Sequence, residues 1–446
     1  MTKDMTSGKP VKLIISFAIP MFLGMLFQQF YSMVDTIIVG RFLGMGPLAG
    51  VGATNSLNFM VIGFVTGVCN GFAVPVAQMF GAKHDSALRR YAANSAWLCI
   101  LFAVVLTAAV VIFCHPILKL LRTPEDIYDY AYVYILIIFW GIPFTFLYNI
   151  LAAMIRSLGD SRTPVIFLAI SSLINIVLDL VFILVFHMGV EGPALATVIS
   201  QAVSGLICLW HMRRKYDILR MTREEWRFSG RYVKKLCYMG IPMGLQYSVT
   251  AIGTLILQAA VNSLGSATVA GVTAAMKING FVTCPIEALG ATMAPYSGQN
   301  MGAGKLDRVS RGVKDACLCG FVASAILLVI VVLTGRQMSM LFLDASSVEI
   351  AELSYRLLVI TAGGYCLLTL VNVVRFTIQG MGYSVFAVTA GILEMIARGL
   401  AGAVLVPLTG YAGVCLSNVL AWIFADAFLI PAFFYCRKKT RRMITQ

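Results

Sequence analysis

The chain has 446 residues, 59% of them hydrophobic and only 12% charged, with a mean hydropathy of +0.86. Soluble domains carry roughly 25% charged residues, so this composition excludes a large soluble enzyme and points to a polytopic membrane protein. The net charge of +14 is scattered in short clusters between apolar runs. That pattern argues for a lipid bilayer and against nucleic acid as the partner.

A spanning helix needs about 20 mainly apolar residues. Twelve stretches meet this, near 12–40, 50–80, 92–113, 131–155, 164–187, 192–211, 236–263, 269–298, 313–334, 352–379, 385–406 and 411–435. The first follows Lys3, Lys9 and Lys12. It is too long for the apolar part of a secretory signal and reads as a spanning helix. With the amino terminus placed inside and loops alternated, 26 Lys and Arg fall on the inner side. The outer side collects five, namely Arg41, Lys119, Arg122, Arg336 and Arg356. A miscounted helix would flip every later loop and erase this bias. The reading is therefore twelve helices in the inner (plasma) membrane with both termini cytoplasmic. Pro20, Pro75, Pro143, Pro242, Pro285 and Pro295 mark expected bends.

The two halves of the chain resemble each other. Ile19-Pro20-Met21 is echoed by Ile241-Pro242-Met243, Leu43-Gly44 by Leu264-Gly265, and Gln78-Met79-Phe80-Gly81-Ala82 by Gln299-Asn300-Met301-Gly302-Ala303. The matches keep one register. An even number of helices per repeat gives both halves the same orientation, as in transporters whose two lobes enclose a central path. The expected fold class is thus all-α and polytopic, with two parallel-repeat six-helix bundles. The expected division is 1–211, a basic cytoplasmic linker 212–235, and 236–446.

The 11 cysteines include no CxxC pair, and the four histidines sit at the ends of apolar runs. Neither a disulfide framework nor a zinc site is expected, and no cofactor is called for. No HExxH, GxSxG or Walker loop occurs, and there is no room for a soluble nucleotide domain. A membrane enzyme and an ATP-driven pump are both disfavoured.

The chemistry is expected in the charges inside apolar runs, where each is costly unless paired, hydrated or neutralised. These are Asp35, Asp179, Glu287, Glu394, Asp426, Lys277, Arg375 and Arg398. In the first half Asp35 and Asp179 have no Lys or Arg within the apolar stretches. They are expected to bind a proton or a bare cation such as Na⁺, with Asn175 and Thr197 supplying further oxygens. Asn175 and Asp179 are four apart and share a helix face. The competing reading is that each makes only an interhelical hydrogen bond. In the second half Glu394 and Arg398, also four apart, read as an ion pair. Glu287 is open between a substrate carboxylate and a partner of Lys277 or Arg375. Asp426 reads as structural or hydrated near a helix end. Gln28, Tyr31, Met33 and Glu287 are candidate substrate contacts. Flexible walls rich in aromatics and methionine suit varied hydrophobic or cationic ligands.

Taken in order, Ile19-Pro20 with Asp35, Pro75 to Ala82, Arg156-Ser157-Leu158-Gly159-Asp160-Ser161-Arg162-Thr163-Pro164, Asn175 to Asp179, and Gly298 to Ala303 resemble the multidrug and toxic compound extrusion (MATE) family. The resemblance covers essentially the whole chain. It implies a V-shaped pair of six-helix bundles working by alternating access, which exports organic cations in exchange for H⁺ or Na⁺. By position, Asp35, Asn175, Asp179 and Thr197 match the first-lobe coupling site of DinF-like and archaeal-type members. NorM-like members carry an acid in the seventh helix, where this chain has Leu245-Gln246-Tyr247-Ser248-Val249-Thr250-Ala251. The resemblance is therefore DinF-like rather than NorM-like, and a monomer is expected. The alternative is a lipid-linked oligosaccharide flippase of the related superfamily, whose cavity would carry several cationic residues.

Overall fold

The computed structural model describes residues 2–121, 123–340 and 348–445; Arg122, counted above among the outer charges, lies outside them. The described residues are helical nearly throughout. In chain order the helices are α1 (Pro10–Phe42), α2 (Met45–Gly81), α3 (Asp85–Ile112), a short α4 (Cys114–Leu120), α5 (Glu125–Trp140), α6 (Ile142–Ser157), α7 (Arg162–Leu184) and α8 (Glu191–Lys215). They continue as α9 (Gly230–Asn262), α10 (Ser266–Val282), α11 (Cys284–Gly302), α12 (Leu306–Met340), α13 (Val348–Gly363), α14 (Tyr365–Gly380) and α15 (Ser384–Leu400). A π-helical turn, Ala401–Leu405, joins α15 to α16 (Val406–Thr409), and α17 (Tyr411–Thr445) follows.

Nine of these helical segments are long and apolar enough to cross a membrane, and three bent pairs raise the number among the described residues to twelve. The bends fall between α5 and α6 (49°), α10 and α11 (51°), and α13 and α14 (53°). The expected fourth, eighth and tenth spans are therefore broken rather than straight. Pro143 and Pro285 open the second member of two pairs, where a missing N–H costs nothing. The third break falls at Gly363-Gly364. Pro20, Pro75, Pro242 and Pro295 lie inside continuous helices, so four of the six expected bends are not breaks.

The repeat is written into the connections. Beyond Gly8 ahead of α1, four positions in the first half have left-handed backbone, Gly44 (φ 92°), Lys83 (φ 56°), Gly159 (φ 86°) and His187 (φ 52°). Each has a counterpart 221 or 223 residues later, Gly265 (φ 95°), Gly304 (φ 70°), Gly382 (φ 96°) and Gly410 (φ 60°). The turn after α2 closes with Ala82, Lys83 and His84 donating to Gln78, Phe80 and Met79, and the turn after α11 repeats it with Ala303, Gly304 and Lys305 donating to Gln299, Met301 and Asn300. The two halves thus reach one topology through the same sharp turns.

The chain forms two compact units whose boundaries fall inside helices. The first is Met1–Asp4 with Leu23–Gly244; the second is Met5–Phe22 with Leu245–Gln446. Both α1 and α9 are therefore divided, each giving its start to one unit and its end to the other. In the first unit α2, α5, α6, α7 and α8 pack around a core that includes Phe72, Phe139 and Phe146. The polar segment between α8 and α9 is fastened there. Glu225 receives Arg89 at 2.8 and 2.9 Å, Asn94 receives the Ser229 N–H at 2.9 Å, and Trp97 donates to the Trp226 carbonyl. In the second unit Ile14, Phe17 and Ala18 of α1 pack with Leu289, Met293 and Tyr296 of α11. The chain leading into α1 is held by Gln299, which accepts the Met5 N–H at 2.8 Å, and by Asn300, Lys305 and Arg308, which donate to its carbonyls.

Candidate functional site

Helix α7 turns the usual amphipathic pattern inside out. Its buried stripe is Pro164, Phe167, Ser171, Ser172, Asn175, Asp179 and Ile183, spaced at three to four residues. Leu173, Val177, Leu184 and Val185 point outward. In lipid an apolar side chain gains little by turning inward, whereas a polar one needs a partner. The polar stripe therefore faces α8 and the rest of the first unit. Ser171 donates to the Ser200 carbonyl at 3.1 Å and Ser204 to the Phe167 carbonyl at 3.4 Å. One turn further along, Asn175 Nδ2 donates to Thr197 Oγ1 at 3.4 Å, and Thr197 donates in turn to the Pro193 carbonyl at 3.0 Å.

The other wall comes from α1. Gly24 brings α1 against α7, since a Cβ there would sit 2.8 Å from a Val165 methyl. Three turns along, Asp35 meets Asp179 closely enough for the two carboxyl groups to share a hydrogen bond when one holds a proton. Asp179 is 0% exposed and Asn175 2%. Both oxygens of Asp179, one of Asp35 and the Asn175 carbonyl oxygen are buried and receive no hydrogen bond. Among the described residues no Lys or Arg forms an ion pair with either acid. Four sequence-expected residues, Asp35, Asn175, Asp179 and Thr197, are thus brought together.

Two ionised carboxylates in contact, with no Lys or Arg paired to them among the described residues, are strongly unfavourable in a low dielectric. The arrangement can hold one proton between the acids. It can equally offer a ring of oxygens to a small hard cation. Two phenols complete the surroundings. Tyr31, one turn before Asp35 on α1, and Tyr134 on α5 both lie within electrostatic reach of both acids. Tyr134 was not singled out from sequence. Its only signal is a hydroxyl in an apolar run, which this chain shows at many other positions.

The expected substrate contacts separate. Tyr31 and Met33 are partly buried in the first unit, while Gln28 is exposed. Glu287, in the second unit, is also exposed and accepts from Thr283 Oγ1 at 2.9 Å. Among the described residues no ion pair joins it to Lys277 or Arg375. Arg375 is paired instead with Glu394, and Arg398 Nη2 lies 3.6 Å from the same carboxylate. The expected Glu394–Arg398 pair is present but is the weaker of the two contacts.

Comparison with known proteins places the chain. A family model described as MatE matches residues 20–181 and again 242–404, the two repeats seen in the turns. A probable multidrug resistance protein of Bacillus subtilis, YoeA, is 27% identical over 373 residues, covering 82% of this chain and 80% of its own. A second from the same organism, YpnP, is 31% identical over 310 residues, covering 69% and 68%. A crystal structure of a MATE protein in complex with MaL6 superposes with a TM-score of 0.91 at 22% identity, covering 100% of both chains. The fold, the doubled family match and the relatives agree, and the chain belongs to the MATE family of membrane transporters.

Proposed function

We propose that this protein is a secondary antiporter of the cell membrane that exports small organic, mainly cationic substrates in exchange for inward H⁺ or Na⁺. The observation that carries the reading is the contact of Asp35 with Asp179, with no Lys or Arg paired to either among the described residues. In the proposal the termini are cytoplasmic, as the distribution of Lys and Arg supports, and coupling is DinF-like, confined to the first unit's acids. The relatives' description as multidrug resistance proteins supports a broad range of organic substrates.

The mechanism follows from charge. With both carboxylates ionised, their repulsion separates α1 from α7. Binding one positive charge, as a proton or as Na⁺ held by Asp35, Asp179, Asn175 and Thr197, removes the repulsion and draws the helices together. Substrate and ion therefore favour different arrangements of α1, which is the differential affinity that antiport requires. Tyr31 and Met33 sit on the same stretch of α1, where that movement would reach a bound substrate.

Asp35→Asn and Asp179→Asn test this in proteoliposomes. Each is expected to reduce gradient-driven efflux of an organic cation to background at wild-type expression, because neither amide can gain or lose the charge. Full gradient-driven efflux in both variants would overturn the proposal.

A further inference from the structure

The second unit holds a buried acid that the coupling proposal does not use. Asp426 lies in the middle of α17 rather than near its end, is 5% exposed, and neither of its oxygens receives a hydrogen bond. Beside it is the guanidinium group of Arg375, which turns elsewhere. Arg375 of α14 and Arg398 of α15 converge on the single carboxylate of Glu394. They leave Arg375 Nε and Arg398 Nη1 buried without acceptors. Arg398 lies 223 residues after Asn175, so this cluster is built on the repeat counterpart of α7.

The groups facing Asp426 can be enumerated by helix. Arg375 comes from α14, Cys317 of α12 is within electrostatic reach, and Glu394 and Arg398 of α15 join the cluster through Arg375. Tyr247 of α9 faces Arg375. Arg356 of α13 faces Tyr411 and Cys415 at the far end of α17. With two guanidinium groups and two carboxyls, the cluster has two consistent arrangements. In one, both arginines rest on Glu394, the geometry seen here, and Asp426 is left to hold a proton. In the other, Asp426 is ionised and one arginine has turned to it, leaving one guanidinium for each carboxylate. A metal cation is disfavoured by the two guanidinium groups, whereas a proton bonds directly to the carboxylate.

We propose that Asp426 is a second, independent proton-binding site, and that loss of its proton transfers Arg375 from Glu394 on α15 to Asp426 on α17. The proton leaves Asp426 Oδ as H⁺ to water, no other covalent bond is made or broken, and the Arg375–Glu394 ion pair is exchanged for an Arg375–Asp426 one. The transfer replaces an α14–α15 tie with an α14–α17 tie.

The test is pH-difference infrared spectroscopy of the full-length protein in lipid, in an Asp35→Asn/Asp179→Asn background. That background lacks both first-unit acids, so failure here leaves the coupling proposal standing and failure there leaves this one standing. A carboxylic C=O band is expected to disappear as the pH is raised. Adding Asp426→Asn, which keeps the side-chain volume, is expected to remove that band at every pH. Glu394→Gln, which frees Arg375, is expected to lower its midpoint by about one pH unit or more. The inference is overturned if no carboxylic band titrates in the background, if Asp426→Asn leaves the band intact, or if its midpoint follows Na⁺ concentration.

Discussion

Asp160, in the connection between α6 and α7, caps α7 with one oxygen and ties it to the end of α8 with the other. The Arg162 and Thr163 N–H groups donate to Oδ1 at 2.9 and 3.1 Å, and Tyr216 and Thr163 hydroxyls donate to Oδ2 at 2.7 and 2.8 Å. Burial alone would push the carboxyl up, but its hydrogen bonds, those of Tyr216 and Thr163 among them, outweigh it and hold the pKa at about 2. A group depressed below its unfolded value near 3.9 stabilises the fold above that pH and loses the contribution as pH falls through about 2. Asp160→Asn is therefore expected to cost on the order of 2 kcal/mol at pH 7. Thermal unfolding should show the two proteins converging as the pH is lowered toward 2; an equal gap at pH 7 and pH 3 would refute the assignment. Lys83 carries the opposite kind of burden. It holds a left-handed conformation that its counterpart Gly304 adopts freely. That conformation costs a side-chain-bearing residue roughly 1–2 kcal/mol, while glycine costs about 0.5–1 in chain entropy. Lys83→Gly should raise stability by about 0.5–1 kcal/mol, and a lowered melting temperature would contradict this. At this scale the sequence exposes Asp35 and Asp179 because an acid stands out in an apolar run. It hides Tyr134 among many aromatics. It also hides the pairing of Arg375 with Glu394, because these lie 19 residues apart on separate helices and only packing brings them together.

Between helices, glycine brings α2 close against the start of α9. A Cβ on Gly67 would lie 2.3 Å from the Met243 carbonyl, and one on Gly71 would lie 2.5 Å from Gly240 Cα. Gly240 and Gly244 answer from the other side, meeting Phe72 and Val68. The four form two small-xxx-small pairs, and in lipid such close packing is a main source of helix association. Gly71→Ala is expected to destabilise the folded protein by about 1–3 kcal/mol, since the obstacle is backbone and cannot turn away. Gly52→Ala, also in α2, meets nothing within 4 Å and should be neutral or slightly stabilising. Equal loss of folded protein for both, measured by size-exclusion chromatography after heating, would show that helix packing is not the cause. Helix number is legible in the sequence because hydropathy and charge report the bilayer directly. Helix breaks are less so. Proline predicts a break at Pro143 and Pro285 but not at Pro20, Pro75, Pro242 or Pro295. Neighbouring helices can satisfy the freed carbonyls, so the outcome depends on packing rather than on the residue.

For the molecule as a whole, the repeat is the feature most clearly readable from the chain. Motif pairs set at a near-constant spacing foretell the paired turns, and the family model matches twice at the same spacing. The partition of the helices is not readable in this way. The first unit includes the segment between α8 and α9 and the start of α9, and the second includes the start of α1. Only side-chain contacts such as Arg89 with Glu225, or Asn300 with the Met5 carbonyl, assign these stretches. Chemically the repeats have diverged. One unit confronts two acids with no base, and the other sets two acids among two arginines. Under the proposed function, that asymmetry favours ion coupling in the first unit. The most direct test of ion-coupled antiport is uptake of an organic cation into inside-out vesicles under H⁺ and Na⁺ gradients imposed separately. At least one gradient is expected to drive uptake above equilibrium in the wild type, and Asp179→Asn is expected to abolish it. Uptake that neither gradient accelerates, or that Asp179→Asn leaves unchanged, would contradict the proposed function.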